Sequence, residues 1–322
     1  MYARLSEYWS RWLDRRIPRN DQARLSQRNL FILPTGAGVV FGLLLLITLV
    51  TGINYQNSLI LLLTFFLGAV FVAAMHQTHS NLSGVEFTLV SAGEGFVGEA
   101  IPFVVRATSP DHEAIALNLA TADGNAVTAS IKAGEYQDVT LLRTAKRRGY
   151  VSVGDVRVET RFPFGLLKAW SWVRPGTPGI AYPKPVAPPY APVAAEGGSD
   201  DSQARVSLGQ DHAELRPWRE GDMSQRVLWK RFARTGDMVI ADWQGEAGNP
   251  EWFDYDAYPG ADRELRLSYL AAAIIERASA TRPAPYGVRL PGLELAPDTG
   301  KVHDAQCLRA LATFGLAPGE CV

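Results

Sequence analysis

The amino-acid sequence predicts a membrane-anchored chain of three folded parts: a two-helix transmembrane hairpin, an antiparallel β-sandwich of immunoglobulin-like type and a small, truncated α/β unit. Two uncharged apolar runs within residues 35–75 predict the hairpin. Short alternating strands between residues 81 and 174 predict the sandwich, and a strand–helix alternation after residue 204 predicts the α/β unit. Residues 1–34 form a basic leader, and residues 175–203 form a linker that is first proline-rich and then flexible.

Composition excludes several functional classes. The chain has 322 residues with 32 Lys+Arg against 33 Asp+Glu, so it is not a globally basic nucleic-acid binder. An apolar fraction of 47% excludes a mainly disordered chain. Its two cysteines, Cys307 and Cys321, cannot form a disulfide framework or a four-cysteine zinc site. We expect a folded protein without a nucleic-acid partner or a cofactor.

The hairpin is predicted from residues 35–51 and 58–75, which carry no charge and are joined by a short polar turn. A helix of about 20 apolar residues spans a bilayer core of ~30 Å. Small residues on both runs favour a close approach of the two helices, although glycine is also common in membrane helices generally. We predict that this helix packing uses Gly38, Gly42, Gly68, Ala69 and Ala73.

The leader predicts the orientation. Its basic residues are Arg4, Arg11, Arg15, Arg16, Arg19, Arg24 and Arg28. Under the positive-inside rule this excess places the N-terminus in the cytoplasm, and a hairpin returns the chain to the same side. Tyr8, Trp9 and Trp12 beside arginines predict a short interfacial helix. A secretory signal is the alternative, but the second apolar run argues against it.

Alternation of apolar and polar residues predicts sandwich strands at 101–108, 114–120, 136–142, 150–159 and 166–173. The segment Gly93-Glu-Gly95-Phe-Val-Gly98 has the glycine spacing of a dinucleotide-binding loop. That loop must open a helix, whereas a strand-like run follows here. We therefore interpret the segment as a glycine-rich hairpin.

After residue 204, the sequence predicts a helix that is capped by Asp222 or Ser224 and runs to about Arg234. Strands are predicted at 238–243, 251–256 and 286–290. Further helices are predicted from Asp262, which is a good capping residue, and over 303–314. This order predicts a mostly parallel sheet.

The densest group of charged and aromatic residues lies between 209 and 234. Arg226, Lys230 and Arg234 are spaced by four, so they would line one helix face and could bind phosphate. Residues 204–246 contain as many acidic as basic residues, so an unpaired basic patch is not expected. We therefore favour a salt-bridged structural junction. The whole interaction cluster comprises Gly209, Asp211, Glu214, Arg216, Trp218, Gly221, Asp222, Arg226, Trp229, Lys230 and Arg234.

This cluster has the order G-x-D-x-x-E-L-R-x-W-x-x-G-D-x-x-x-R-x-x-W-K-x-x-A-R, which resembles the hallmark of the bacterial family called domain of unknown function 58. Arg147-Arg148-Gly149-Tyr150 and Phe162-Pro163-Phe164-Gly165-Leu166 support the same resemblance. The resemblance implies a bacterial inner-membrane protein with a degenerate von Willebrand A-like C-terminal part. It also implies a MoxR-type AAA+ ATPase as the partner, with other envelope or von Willebrand A-like proteins as further possibilities.

A complete von Willebrand A-like fold binds a divalent cation through D-x-S-x-S, but this chain reads Asp254-Tyr-Asp256-Ala-Tyr258. Asp254 and Asp256 would point the same way from a strand, and they are weak metal candidates only. With no recognisable catalytic motif, the sequence predicts a non-catalytic, membrane-anchored cytoplasmic scaffold or adaptor that works with the ATPase. The alternatives are a phospholigand-binding protein or enzyme that uses the Arg216–Arg234 cluster, and an envelope factor that acts through its hairpin.

Overall fold

The structure is a computed structural model that describes residues 17–190, 192, 251–280 and 284–317, together with the backbone of 214–217 and 239–242. The chain divides into two compact units. The first comprises Met1–Lys184 and Arg309–Val322, and the second comprises Pro185–Leu308. The predicted interfacial helix of the leader lies outside the described residues.

The first unit begins with two short strands, β1 (Gln22–Arg24) and β2 (Phe31–Pro34), which lie in the predicted leader. Two long helices follow, α1 (Gly36–Asn54) and α2 (Ser58–Leu82). Both are long and apolar enough to cross a membrane, and only 11% of the span of each is buried. The Asn57 side chain accepts hydrogen bonds from the first amides of α2, so the polar turn ends one helix and caps the next.

The sandwich strands come next. They are β3 (Glu86–Ala92), β4 (Glu94–Phe96), β5 (Ala100–Thr108), β6 (Ala114–Ala120), β7 (Ala126–Ile131), β8 (Tyr136–Thr144), β9 (Gly149–Val151), β10 (Val156–Thr160), β11 (Leu167–Val173) and β12 (Gly179–Tyr182). One antiparallel sheet has the order β1-β3-β5-β8, and the other has the order β2-β11-β10-β6-β7. Phe87 and Phe103 of the first sheet share a buried core with Leu119 and Val158 of the second. This is the layered arrangement of a β-sandwich.

A third sheet, β4-β12-β9, corrects three predictions. The glycine-rich segment is a strand, because β4 pairs in parallel with β12 and no helix follows it. An added Cβ at Gly93 would lie 1.9 Å from the Pro102 carbonyl oxygen, so close backbone packing explains that glycine. The predicted strand at 150–159 is two strands, β9 and β10, because Gly154 has a positive φ of 79°. The predicted linker contributes β12 to this sheet.

Within residues 193–250, which belong to the second unit, only the backbone of two strands is described. They are β13 (Glu214–Pro217) and β14 (Val239–Asp242), which form an antiparallel pair. β14 confirms the strand predicted at 238–243. The predicted helix that ends near Arg234 lies outside the described residues.

The second unit contains β15 (Glu251–Asp254), α3 (Arg263–Ala278), β16 (Tyr286–Leu290), β17 (Leu293–Asp298) and the first part of α4 (Lys301–Thr313). The Asp262 side chain caps α3 by accepting a hydrogen bond from the Leu265 amide, as the sequence predicts. The described sheet is mixed, not mostly parallel: β15 and β16 are parallel, and β17 returns antiparallel to β16. A tight turn at Gly292, whose φ is 82°, makes that return possible.

Candidate functional site at the junction of the hairpin and the sandwich

The first helix of the hairpin begins in direct contact with the sandwich. The Thr35 hydroxyl donates to the Gly165 carbonyl oxygen at 2.6 Å, and the Thr35 amide donates to the Leu166 carbonyl oxygen at 2.9 Å. The same hydroxyl accepts from the Gly38 amide and so caps α1. Gly38 packs tightly here, because an added Cβ would lie 1.9 Å from the Leu166 oxygen. The start of α1 is therefore held to the loop between β10 and β11.

The second helix ends in the same place. Its buried residues Ala74, Thr78 and Asn81 recur at helical spacing and face the sandwich. The Thr78 hydroxyl donates to the Phe162 carbonyl oxygen at 2.8 Å. α2 thus continues beyond its apolar run as part of the β domain.

Asn81 makes the most complete set of bonds at this junction, although it is only 4% exposed. Its amide nitrogen donates to the Ile115 carbonyl oxygen at 2.8 Å and to the Thr160 hydroxyl at 2.9 Å. Its amide oxygen accepts from the Ile115 amide at 2.9 Å. The side chain therefore bonds to the backbone at the start of β6 as a neighbouring strand would. Its buried polar atoms are all hydrogen-bonded.

The loop that receives both helices is the Phe162–Leu166 segment. A cis peptide bond joins Phe162 and Pro163, and Gly165 has a positive φ of 71°. Phe164 lies at the tip of this loop, with 62% of its surface exposed. One of the two segments that support the sequence resemblance therefore coincides with the hairpin–sandwich junction.

The predicted helix-packing residues have a different role from the one expected. Gly38 meets the sandwich loop instead of α2. An added Cβ at Gly42 or Gly68 would meet nothing within 4 Å, so the helices do not approach closely there. Gly42, Gly68 and Ala69 instead line an open apolar groove of about 480 Å³. Ala73 is exposed, and the stacked rings of Phe41 and Phe71, 5.9 Å apart, join the helices.

A second site in the first unit holds the end of α4. The buried Arg148 guanidinium donates to the carbonyl oxygens of Leu311, Ala312 and Phe314 at 2.8–3.1 Å. A cation at a helix C-terminus satisfies carbonyls that lack helical partners and complements the helix dipole. Arg148 belongs to the other supporting segment of the sequence resemblance, so that segment coincides with a helix-capping site.

A half-buried carboxylate lies near this cap. Glu94 accepts hydrogen bonds from Arg309, at 2.7 Å, and from the Tyr182 hydroxyl. Burial and the neighbouring Glu94 both raise the pKa of the Tyr182 phenol. The phenol therefore stays protonated and serves as a hydrogen-bond donor.

The outer face of the five-stranded sheet carries aromatic residues. Phe31 and Trp170 stack at 4.8 Å, Trp172 meets Trp170 edge-on, and the Arg157 guanidinium lies over the Trp170 ring. Glu159 forms an ion pair with Arg157 at 2.9 Å. The indole nitrogen of Trp172 and Nε of Arg157 are buried without a hydrogen-bond partner among the described residues. We call this set the aromatic face.

In the second unit, the weak metal candidates are engaged elsewhere. Asp254 accepts from the Asp256 amide at 2.9 Å, and Asp256 forms an ion pair with Arg266 at 3.1 Å. Within the described parts of the chain, no group of three His, Cys, Asp or Glu residues could hold a metal ion. Asp254 therefore ends β15 and caps the turn that follows, and Asp256 is held by Arg266.

The interior of the second unit contains a buried thiol. Cys307 lies 3.4 Å from Nε2 of His303, which in turn contacts the Tyr286 carbonyl oxygen. Burial raises the pKa of the Cys307 thiol to about 12. The thiol is therefore protonated at neutral pH, whereas a nucleophilic cysteine needs a lowered pKa.

The predicted interaction cluster lies almost entirely outside the described residues. Only Glu214 and Arg216 fall on a described element, the backbone of β13. Its remaining members are Gly209, Asp211, Trp218, Gly221, Asp222, Arg226, Trp229, Lys230 and Arg234. The structural-junction and phosphate-binding readings of this cluster both stay predictions.

No protein-family model, curated protein or solved structure matches the chain. The site residues predicted from the sequence do not include the junction residues Thr78 and Asn81, although the sequence contains a signal for them. They lie three apart in the polar tail that follows the second apolar run, on one helical face.

Proposed function

We propose that the protein is a non-catalytic scaffold of the bacterial inner membrane. Its hairpin crosses the membrane, and its sandwich lies at the cytoplasmic surface to receive a partner. The resemblance to the domain of unknown function 58 family suggests a MoxR-type AAA+ ATPase as that partner. The same resemblance, with the β15–α3–β16 alternation, supports a von Willebrand A-like fold for the second unit.

The observation that carries this proposal is that strands from both sides of the hairpin build the sandwich. β1 and β2 precede the two apolar helices, whereas their partners β3 and β11 follow them. A single domain built from both flanks of the hairpin requires both flanks to lie on one side of a membrane. The pairing therefore supports an even number of crossings independently of the charge pattern.

The surface of the helices supports insertion. Large apolar side chains such as Val40, Leu62 and Phe65 are more than half exposed along both spans. Burial of such a side chain is worth about 1.5–3 kcal/mol, so this surface would strongly disfavour exposure to water. In a bilayer the same surface is solvated by lipid, and the helices satisfy their own backbone groups.

Reporter fusions test the topology. A green fluorescent protein fused after Val322 should fluoresce, and alkaline phosphatase in the same position should be inactive. Alkaline phosphatase inserted after Tyr55, in the hairpin turn, should be active because the turn would reach the opposite side. The reverse pattern would place the sandwich outside the cytoplasm and overturn this part of the proposal.

The aromatic face is the surface that we propose for partner contact. Tryptophan and arginine are enriched where protein interfaces derive most of their binding energy. Trp172 and Arg157 of this face are partly exposed, so a partner that binds there would bury them further.

Co-purification tests this contact. The tagged full chain, extracted in mild detergent with and without ATP, should retain an AAA+ ATPase. Trp172→Ala should reduce that recovery, whereas Leu142→Ala should not, because Leu142 lies on the other sheet and is 41% exposed. Equal recovery with both variants would remove the aromatic face from the proposal, and repeated absence of any ATPase would contradict the partnership.

A further inference from the structure

Phe164 is a large aromatic side chain that the sandwich leaves exposed beside both helices. Its loop contacts the cap of α1 through Thr35 and the C-terminal part of α2 through Thr78. The loop is therefore level with the places where the helices meet the β domain. Phe164 does not belong to the buried core, so packing within the sandwich does not account for it.

The neighbouring surface has the same character. Leu33 is 53% exposed on β2, and its cross-strand neighbour on β11 is Lys168. The exposed apolar surface of α1 begins at Val39, six residues after Leu33. An aromatic ring, an aliphatic side chain and a lysine at the end of an apolar span are the residue types that occupy the headgroup region of membranes.

We propose that Phe164, together with Leu33, inserts into the headgroup region of the membrane that the hairpin crosses. The occupant is lipid, because this surface is continuous with the apolar surface of α1. The loop then forms a membrane contact outside the two helices and limits rotation of the sandwich over the bilayer. This inference rests on the proposed membrane hairpin.

Photo-crosslinking in the full chain tests the inference. Phe164, Val40 and Leu142 are replaced in turn by p-benzoylphenylalanine, and the proteins are reconstituted into vesicles of phosphatidylethanolamine and phosphatidylglycerol. Val40 reports on the membrane span. Leu142 is an exposed apolar control near the C-terminal end of β8, where it pairs with Pro102. Lipid adducts are detected by intact mass after irradiation.

We expect lipid adducts at positions 40 and 164 and none above the dark background at position 142. An adduct at position 40 without one at position 164 would overturn the inference and leave the membrane hairpin standing. No adduct at position 40 would overturn the hairpin and the inference with it. Adducts of equal yield at all three positions would also overturn it, because the loop would then have no special proximity to lipid.

A second variant separates membrane contact from folding. Phe164→Ser should keep the Tm of the wild-type chain in detergent, because the ring lies outside the core. A large loss of Tm would assign Phe164 to the stability of the junction and overturn the inference.

Discussion

Replacement of Asn81 by alanine should loosen the attachment of the hairpin to the sandwich. Three hydrogen bonds would be lost, two to the backbone of Ile115 and one to Thr160. The Ile115 carbonyl oxygen would keep a bond from the Thr160 hydroxyl at 3.3 Å, but the Ile115 amide would lose its side-chain acceptor. At about 1 kcal/mol for each bond, the expected loss in the free energy of unfolding is about 3 kcal/mol.

Thermal unfolding of the full chain in detergent, followed by tryptophan fluorescence, measures this loss. In a unit of this size, 1 kcal/mol shifts Tm by about 2–4 °C, so Asn81→Ala should lower Tm by about 6–12 °C. Ser80→Ala is the matched control, because Ser80 is the preceding residue of α2 and is exposed. Hydrogen exchange should also become faster at the Ile115 amide.

Asn81→Asp adds a diagnostic of burial. The carboxyl group is nearly the same size, but its charged form would face the Ile115 carbonyl oxygen in a buried site, which raises its pKa in the folded state. The folded variant would then bind its proton more tightly than the unfolded chain, so it should lose stability as the pH rises through the folded pKa. A Tm for Asn81→Ala within about 2 °C of the control, or an Asn81→Asp variant whose Tm does not change with pH, would refute the assigned role of this side chain.

Three other sites give sharp expectations. Gly38→Ala should lower the Tm of the full chain because its Cβ would collide with backbone, whereas Gly42→Ala should be tolerated because its Cβ meets nothing. Arg148→Ala should cost about 3 kcal/mol or more and speed hydrogen exchange in the last turn of α4, because charge-assisted bonds to three carbonyls are lost. Cys307 should resist alkylation at pH 8 until denaturant is added, since its pKa is raised to about 12. The unfolded chain releases this thiol proton near the ordinary value of 9.0, so stability should fall as pH rises from 9 toward 12, and Cys307→Ala should lessen that fall.

Arg147→Ala, at an exposed position in the same motif, should leave exchange in α4 unchanged. Equal effects of the Arg147 and Arg148 variants would contradict the capping role. Equal Tm values for the two glycine variants would contradict the packing of α1 on the sandwich loop. Rapid alkylation of the native thiol would contradict the burial of Cys307.

Local patterns predicted a large part of the fold. The two apolar helices are confirmed because a run of uncharged apolar residues needs no distant partner to be recognised. Asp262 was correctly identified as the cap of α3, since a capping side chain binds an amide only three residues away. Most strands of the sandwich are also confirmed, because alternation marks which side of a strand is buried.

The errors lie where a segment depends on distant partners. β1 has 3 residues and β12 has 4, which is too short for alternation to be distinguished from a leader or a linker. β2 pairs with β11 across more than a hundred residues of chain, and no local signal predicts that register. The small residues of the hairpin are visible in the sequence, but whether a glycine meets a helix, a loop or open space depends on what lies opposite it.

The candidate site shows the same division. The two segments that support the resemblance, around Arg148 and Phe164, are visible in the sequence, but their contacts are not. Arg148 binds carbonyls 163 or more residues away along the chain. Asn81 bonds to Ile115, which is 34 residues away. The sequence by itself determined that two apolar helices and a β domain exist, because hydrophobic pattern is a local property. The tertiary structure decided that strands from both sides of the hairpin build one sandwich and that both helices are held to it, because hydrogen bonds between distant segments form only when the chain is folded.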